Sequence, residues 1–285
     1  MHVIDCAGPS KILRPFVRQY SQRQARIPGT ITVEPVPARS EPILEFQFAD
    51  PYEIRHSIGE RVESAPNIVI VGLQTWSRVR LLLYGSINAF VVVFEPLGFF
   101  RLMGASGVEL VNQAQDADTA FGNSMTGLWE VLAEARSFAA RIQAMEKFLL
   151  SHLSPTKTID VISSVASSIL VSNGRVRMRE IAYENGLSLR QLERKFLTQI
   201  GIPPKAYARI ARFGSALRMK ANCPNHFWTD IAYQLGYHDQ MHMVHDFREL
   251  SGESPGKIIA EVELLYRAQL APHDAFPPKT PHLVS

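Results

Sequence analysis

Between residues 31 and 95 the apolar positions gather in short β-branched and aromatic runs: Ile31-Thr32-Val33-Glu34, Ile43-Leu44-Glu45-Phe46-Gln47-Phe48, Ile68-Val69-Ile70-Val71 and Phe90-Val91-Val92-Val93-Phe94. Pro, Gly, Asn and Ser punctuate the runs, a pattern that predicts strands joined by turns. Several strands at this spacing predict a small antiparallel β barrel over roughly residues 10 to 100. The period then lengthens. Leu128, Val131, Leu132, Ala135, Phe138, Ala139, Ile142, Met145, Phe148 and Leu149 recur at three and four residues, which predicts one amphipathic helix over 126–154, packed on the barrel or paired with a second copy in a homodimer. Ser154-Pro155-Thr156 breaks that helix, and the pattern beyond it stays helical to about Tyr266. Pro272, Pro277, Pro278 and Pro281 then mark a loose tail. The expected architecture is α+β with two domains: a β-rich regulatory unit over 1–125, a connecting helix over 126–154, an all-α unit over 155–267 and a disordered Pro-rich tail over 268–285.

The all-α unit repeats itself. Glu180-Ile181-Ala182-Tyr183-Glu184-Asn185-Gly186-Leu187 aligns with Asp230-Ile231-Ala232-Tyr233-Gln234-Leu235-Gly236-Tyr237. After one inserted residue, Leu192, Phe196, Gly201 and Pro204 align with Met243, Phe247, Gly252 and Pro255. Each copy reads as helix, turn, helix. Ile181 and Ile231 face the core, Ala182 and Ala232 admit a close crossing, and Gly186 and Gly236 can end the first helix in the left-handed conformation. The second helix starts at Ser188, with Gln191 completing a capping box, and in the other copy at Asp239. Its inward stripe is Leu192, Phe196 and Ile200 in one copy and Met243, Phe247 and Leu250 in the other. Arg190, Glu193 and Arg194 face outward near the start of the first copy's second helix, where a recognition helix meets base edges in the major groove. Arginine bonds guanine bidentately and glutamate accepts from cytosine. From Pro204 to about Ala221 a single helix of roughly 26 Å joins the copies, so two recognition helices could enter successive major grooves about 34 Å apart.

Charge sharpens this picture. Arg175 to Lys220 holds eleven Lys or Arg against three Glu, a local +8 in a chain whose total is +3, so the remainder is −5. On charge alone this is either a solvated basic helix face or the seat of a polyanionic partner, and the repeated helix-turn-helix makes double-stranded DNA the expected partner. Phosphate contacts are expected from Ser188, Lys205, Arg209 and Arg212 in the first half, and from Asp239, His242 and Arg248 in the second.

These residues carry a family resemblance. The segment from about 157 to 266 resembles the double helix-turn-helix domain of the AraC/XylS transcription regulators. The likeness rests on Ile181-Ala182 with Gly186-Leu187-Ser188, Leu192-Glu193-Arg194-Lys195-Phe196, Gly201-Ile202-Pro203-Pro204-Lys205-Ala206-Tyr207, Ile231-Ala232-Tyr233-Gln234-Leu235-Gly236-Tyr237, Asp239-Gln240 with His242, Asp246-Phe247-Arg248, and Gly252-Glu253-Ser254-Pro255. It implies base contacts from Arg190, Glu193 and Arg194 in the first unit and from Gln240, Met241 and His245 in the second, with RNA polymerase as a partner. Two positions depart from the family pattern: Met243 replaces the common aromatic and His245 the usual basic residue. Ala221 to Leu270 carries three Lys or Arg against seven Asp or Glu, so the second unit is expected to grip phosphate weakly. Leu13-Arg14-Pro15-Phe16-Val17 and Val93-Phe94-Glu95-Pro96-Leu97-Gly98-Phe99-Phe100-Arg101-Leu102-Met103-Gly104 resemble the borders of the cupin-like N-terminal domain found in a subset of these regulators, which implies sensing of a small-molecule effector or dimerisation.

Phe46, Phe48, Trp76, Tyr84 and Phe90 either fill the core or line a candidate effector pocket, with Arg80 or Glu45 orienting a polar group. Composition excludes other classes. With 46% hydrophobic and 20% charged residues the chain is neither collagen-like nor wholly disordered, and its two cysteines, Cys6 and Cys223, lie too far apart in sequence for a paired metal site. No apolar run approaches the ~20 residues of a membrane span, and Met1 to Ser10 lacks a secretory pattern, so the cytoplasm is expected. His238, His242 and His245 share one helix face at a possible ligand spacing, but no cofactor or metal is expected. The rival readings are a metal-dependent cupin-type enzyme, which needs about three barrel histidines where the strand region offers only His56, and a nonspecific architectural DNA-binding protein. The motifs of phosphate-loop enzymes, serine hydrolases and zinc proteases are not found, and no catalysis is expected.

Overall fold

The computed structural model describes residues 3–59, 61–104, 106–153 and 161–261. The break expected at 154–156 and the tail expected at 268–285 lie outside the described residues. The β-rich region comprises β1 (Val3–Ala7), β2 (Val17–Pro35), β3 (Ile43–Gln47), β4 (Glu53–His56), β5 (Val62–Ser64), β6 (Ile68–Val71) and β7 (Val79–Phe94). Next come α1 (Gly98–Met103), a 3₁₀ turn at Val108–Leu110, β8 (Ala114–Asp116), α2 (Ala117–Phe121), α3 (Asn123–Glu134) and α4 (Phe138–Ser151). The helical region comprises α5 (Val161–Val171), α6 (Met178–Glu184), α7 (Leu189–Ile200), α8 (Pro204–Asn222), α9 (Trp228–Gln234), α10 (Gln240–Ser251) and α11 (Pro255–Glu261).

All strand pairs are antiparallel, in the order β1-β2-β7-β3-β6-β8, with β4 added to β7 and β5 to β4. β2 and β7 are long enough to serve two layers. Ala89 to Val93 of β7 pair with β3, Val79 to Leu82 pair with β4, and β2 follows β7 along both halves. The sheet folds over where the β2–β7 register breaks between Ile27 and Thr32. Gly85 stands at this bend with a φ of 65°, and the Asp50 carboxylate occupies the space a Cβ would need while accepting from the Ser86 amide at 2.8 Å.

Strand alternation then sorts the side chains. Tyr20, Leu44, Phe46, Phe90, Val92 and Phe94 face the helices and join one apolar core that continues through Phe99 and Leu132 to Phe196, Phe213 and Phe247. Ile43, Val91 and Val93 face the other way, toward the inside of the fold. The helix expected over 126–154 is two helices. Ala135 is extended (φ −64°, ψ 124°) and Ser137 caps α4 by accepting from the Ala140 amide, so the apolar stripe is shared by a packed pair. Arg141 pins that pair to the sheet: its guanidinium donates to the Leu132 carbonyl at 3.0 Å, Gln22 at 2.8 Å and Asn88 at 3.0 Å, and lies over the Phe48 ring at 4.2 Å.

Candidate nucleic-acid interface

The two repeats fold as the same unit. α6 crosses α7 and α9 crosses α10, with Ile181, Ala182, Ile231 and Ala232 buried at the crossings. Gly186 and Gly236 turn the chain with φ of 66° and 68°. α7 opens on a full capping box, in which Ser188 Oγ accepts from the Gln191 amide at 3.3 Å and Gln191 Oε1 accepts from the Ser188 amide at 2.8 Å. α10 opens on Asp239, whose carboxylate accepts from the His242 amide at 2.7 Å and is held below its usual range mainly by that bond. Leu192, Phe196, Ile200, Met243, Phe247 and Leu250 are buried, so each second helix has one face committed to the core.

The opposite face is free. Arg190, Glu193 and Arg194 are exposed on α7, and Gln240, Met241, His242 and His245 are exposed on α10. Arg190 lies in the first turn of α7, at its positive end, where a phosphate or a guanine edge would offset the like charge. Lys205, in the first turn of α8, and Arg248, on α10, are exposed as well. The three histidines diverge: His238 meets Asp239 at 3.1 Å, His242 faces the Tyr237 ring, and His245 pairs with Glu249 at 3.5 Å. Among the described residues no group of three His, Cys, Asp or Glu is placed to hold a metal.

Three expected phosphate ligands have structural work instead. Arg209 is tied to Asp246 at 2.6 Å and to Glu249. Arg212 stacks on Tyr237 with its guanidinium 5.3 Å from the ring centre and donates to the Gly174 carbonyl at 3.2 Å. Asp239 is a cap, and a carboxylate would repel phosphate. The basic count of α8 therefore overstated its phosphate-facing charge, because guanidinium groups on a helix packed between two units find partners within the fold. Sequence reasoning also passed over Arg175, which donates to the Gln234 carbonyl at 2.8 Å and links the two units, and the aligned Tyr183 and Tyr233, each 86% exposed. The repeat offset was the signal for the tyrosine pair.

The β region holds a separate, partly open cavity of about 190 Å³, and of the expected pocket residues only Glu45 lines it. Phe46 and Phe90 are fully buried in the helix-facing core, Phe48 packs on Trp129, Trp76 stacks under Arg78, and Arg80 pairs with Glu253 at 2.7 Å and Glu261 at 3.6 Å. The reason is parity: residues 46 and 48 point to one face of β3, and Glu45 points to the other. The cavity is lined by Glu45 with Arg23, Tyr52, His56, Glu63 and Arg78, backed by Ile43, Val71 and Leu81. Arg23 and Glu45 form a pair at 2.7 Å with side chains 3% and 5% exposed, and Gln47 donates to the same carboxylate at 3.3 Å. Burial, reinforced by the Glu45 charge, pushes the Tyr52 hydroxyl well above its ordinary value, so it stays protonated as a donor.

Residues 181–260 match a protein-family model described as a helix-turn-helix domain. A search of curated proteins found no match. Among solved structures, ToxT from Vibrio cholerae is similar over 85% of this chain and 98% of its own, at 12% identity and a TM-score of 0.52. A second ToxT structure, from strain O395 and bound to (E)-4-(8-methylnaphthalen-1-yl)but-3-enoic acid, covers 86% of this chain and 99% of its own, at 13% identity and a TM-score of 0.51. The shared fold spans both regions, the antiparallel sheet and the helical part behind it. No described helix is long and apolar enough to cross a membrane. With the duplicated unit and its exposed second-helix faces, residues 181–260 are a helix-turn-helix domain of the kind that binds DNA, in a chain whose fold is similar to that of ToxT.

Proposed function

We propose that the protein is a sequence-specific regulator that reads two adjacent major grooves with α7 and α10, under the control of a small-molecule effector held by the β region. The observation that carries the reading is the matched pair of capped second helices, each with its apolar face buried and its polar face bare, and each packed against α8. Arg190, Glu193 and Arg194 are assigned to base edges in one groove, and Gln240, Met241 and His245 to the next. Ser188, Lys205, His242 and Arg248 are assigned to phosphates on either side. The arrangement of units also favours this over an architectural role, since nonspecific binding has no need of two ordered recognition faces.

Binding of the full chain to sheared genomic DNA, followed by sequencing of the retained fragments at two salt concentrations, tests this reading. A recovered motif with two half-sites about ten base pairs apart is expected. Retention without a motif, lost at moderate salt, would leave only phosphate attraction. Effector control draws support from the partly open, charge-lined cavity and from the organic acid bound to a ToxT of the same fold. A ligand of the cavity is expected to raise the melting temperature of the wild-type chain and not that of Glu45→Ala.

A further inference from the structure

Two arginine side chains cross between the helix-turn-helix units. Arg175, in the loop that leads into α6 of the first unit, donates from Nη1 to the Gln234 carbonyl of the second unit at 2.8 Å. It lies along the turn that follows, close enough that a Cβ on Gly236 would meet Arg175 Nε at 3.5 Å. Arg212 of α8 reaches both units. Its guanidinium covers the Tyr237 ring of the second unit, 5.3 Å from the centroid, and donates from Nη2 to the Gly174 carbonyl beside Arg175 at 3.2 Å. The loop that carries Arg175 is itself seated on α8. Asn173 and Gly174 are both left-handed, with φ of 55° and 73°, Asn173 Oδ1 accepts from the Ser215 hydroxyl at 2.9 Å, and a Cβ on Gly174 would collide with the Ala208 carbonyl oxygen. The chain from Gln234 to Tyr237 is therefore gripped from the loop and from α8 at once. That turn sets where α10 begins, because Asp239 caps α10 two residues later.

We propose that Arg175 and Arg212 form a clamp that fixes α10 relative to α7, so that the protein accepts DNA half-sites at one spacing only. The DNA consequence rests on the two-groove reading above; the clamp does not. One added base pair moves a half-site about 3.4 Å along the duplex and about 34° around it. A rigid pair of reading helices cannot follow both displacements, so one unit loses its base contacts, whereas a loosened pair recovers them at an entropic cost. Arg175 and Arg212 are positioning residues on this account, selecting among DNA sites without touching a base.

Binding of the full chain to duplexes that carry the recovered half-sites at their native spacing, and at one base pair more or less, tests the clamp. The readout is the ratio of affinities between spacings, since an unfolded fraction or a lost phosphate contact weakens every duplex alike and cancels. For the wild type a penalty of about 100-fold is expected on the altered spacings, equivalent to losing about two base contacts. For Arg175→Ala, and for Arg212→Lys, which keeps the charge, the penalty should fall to about 10-fold or less. A wild type indifferent to spacing, or an unchanged ratio in both variants, overturns the selection of spacing. A second measurement needs no DNA. Spin labels on Lys195→Cys of α7 and Arg248→Cys of α10, both exposed positions, report the separation of the two helices once Cys6→Ser and Cys223→Ser have removed the native thiols. A narrow distribution of distances is expected with Arg175 and Arg212 in place, and a broader one in either variant. Equal widths overturn the clamp itself. Broadening in a protein that selects no DNA motif keeps the clamp and overturns the two-groove reading instead.

Discussion

Arg209 on α8 donates from Nε to Asp246 Oδ1 on α10 at 2.6 Å, and the same guanidinium reaches Glu249 one turn along. Asp246 is 3% exposed, so this pair sets how α10 sits against α8. Arg209→Ala strands a buried carboxylate. A loss of about 2 kcal/mol is expected, below the ~3–5 kcal/mol of a fully enclosed pair because the arginine is about a third exposed. Denaturant unfolding measures it, and footprinting should show the α10 half-site fading before the α7 half-site. Uniform weakening across both half-sites would return Arg209 to the phosphate contacts.

Arg194 and Lys205 are both exposed and both cationic, yet different losses are expected from them. Arg194→Ala should cost ~1–3 kcal/mol on the cognate site and relax the preference at one base pair. Lys205→Ala should weaken cognate and random DNA alike and flatten the dependence of affinity on salt by about one ion. Titrations against both DNAs at several salt concentrations separate the two. Equal losses on both DNAs for Arg194→Ala contradict its assignment to a base.

Acid should undo the ion pair of Arg18 with Glu41. Its folded carboxyl lies at about 2, below the ordinary 4.5, so its contribution is complete above about pH 4.5 and disappears as the pH falls toward 2. The amount is on the order of 3 kcal/mol. Glu95, which bonds Ser167 of α5 at 3.4 Å, moves oppositely: burial raises its carboxyl despite Arg18, so its contribution is greatest at low pH and is lost as the pH rises through its folded value. Acid titration of stability should be flatter in Glu41→Gln than in the wild type between pH 4.5 and 2. Parallel curves there would mean that other carboxyl groups govern the acid transition.

Gly201 ends α7 in the left-handed region with φ of 89°, and a Cβ there would lie 2.5 Å from Val111 Cγ2 and 3.3 Å from Val108 Cα. α7 thus stops against the β region's 3₁₀ turn. Gly201→Ala adds backbone strain and pushes on that turn, and a loss of about 1–3 kcal/mol is expected. Gly252, the matching position after α10, has open space around it, so Gly252→Ala should cost the strain alone. Equal losses at the two sites would show that the contact with Val111 has no weight.

The helical half was legible because its signals are local. Apolar spacing at Leu192 and Phe196, a serine three residues before Gln191, and glycines at matched offsets each constrain one turn of chain, and the repeat states them twice. What escaped was set by distant partners. Nothing near Arg209 in sequence announces Asp246, and a guanidinium awaiting phosphate looks the same as one already paired. The expected pocket put Glu45 and Phe46 on one wall, but they are neighbours in sequence and lie on opposite faces of the sheet, so Glu45 lines the cavity and Phe46 the helix-facing core. Ala135 shows the same limit, because an apolar stripe carries across a helix break when the two pieces pack side by side.

The two helix-turn-helix units share a fold and differ in charge: Arg175 to Lys220 carries +8, whereas the stretch from Ala221 to Leu270 holds three basic residues against seven acidic ones. On one chain such units have no two-fold axis between them. The site they read would not be a palindrome, and the bound protein would have a head and a tail along the DNA. Turning the site around would move the β region to the other end of the contact, so orientation as well as position would decide what the bound regulator meets on a promoter.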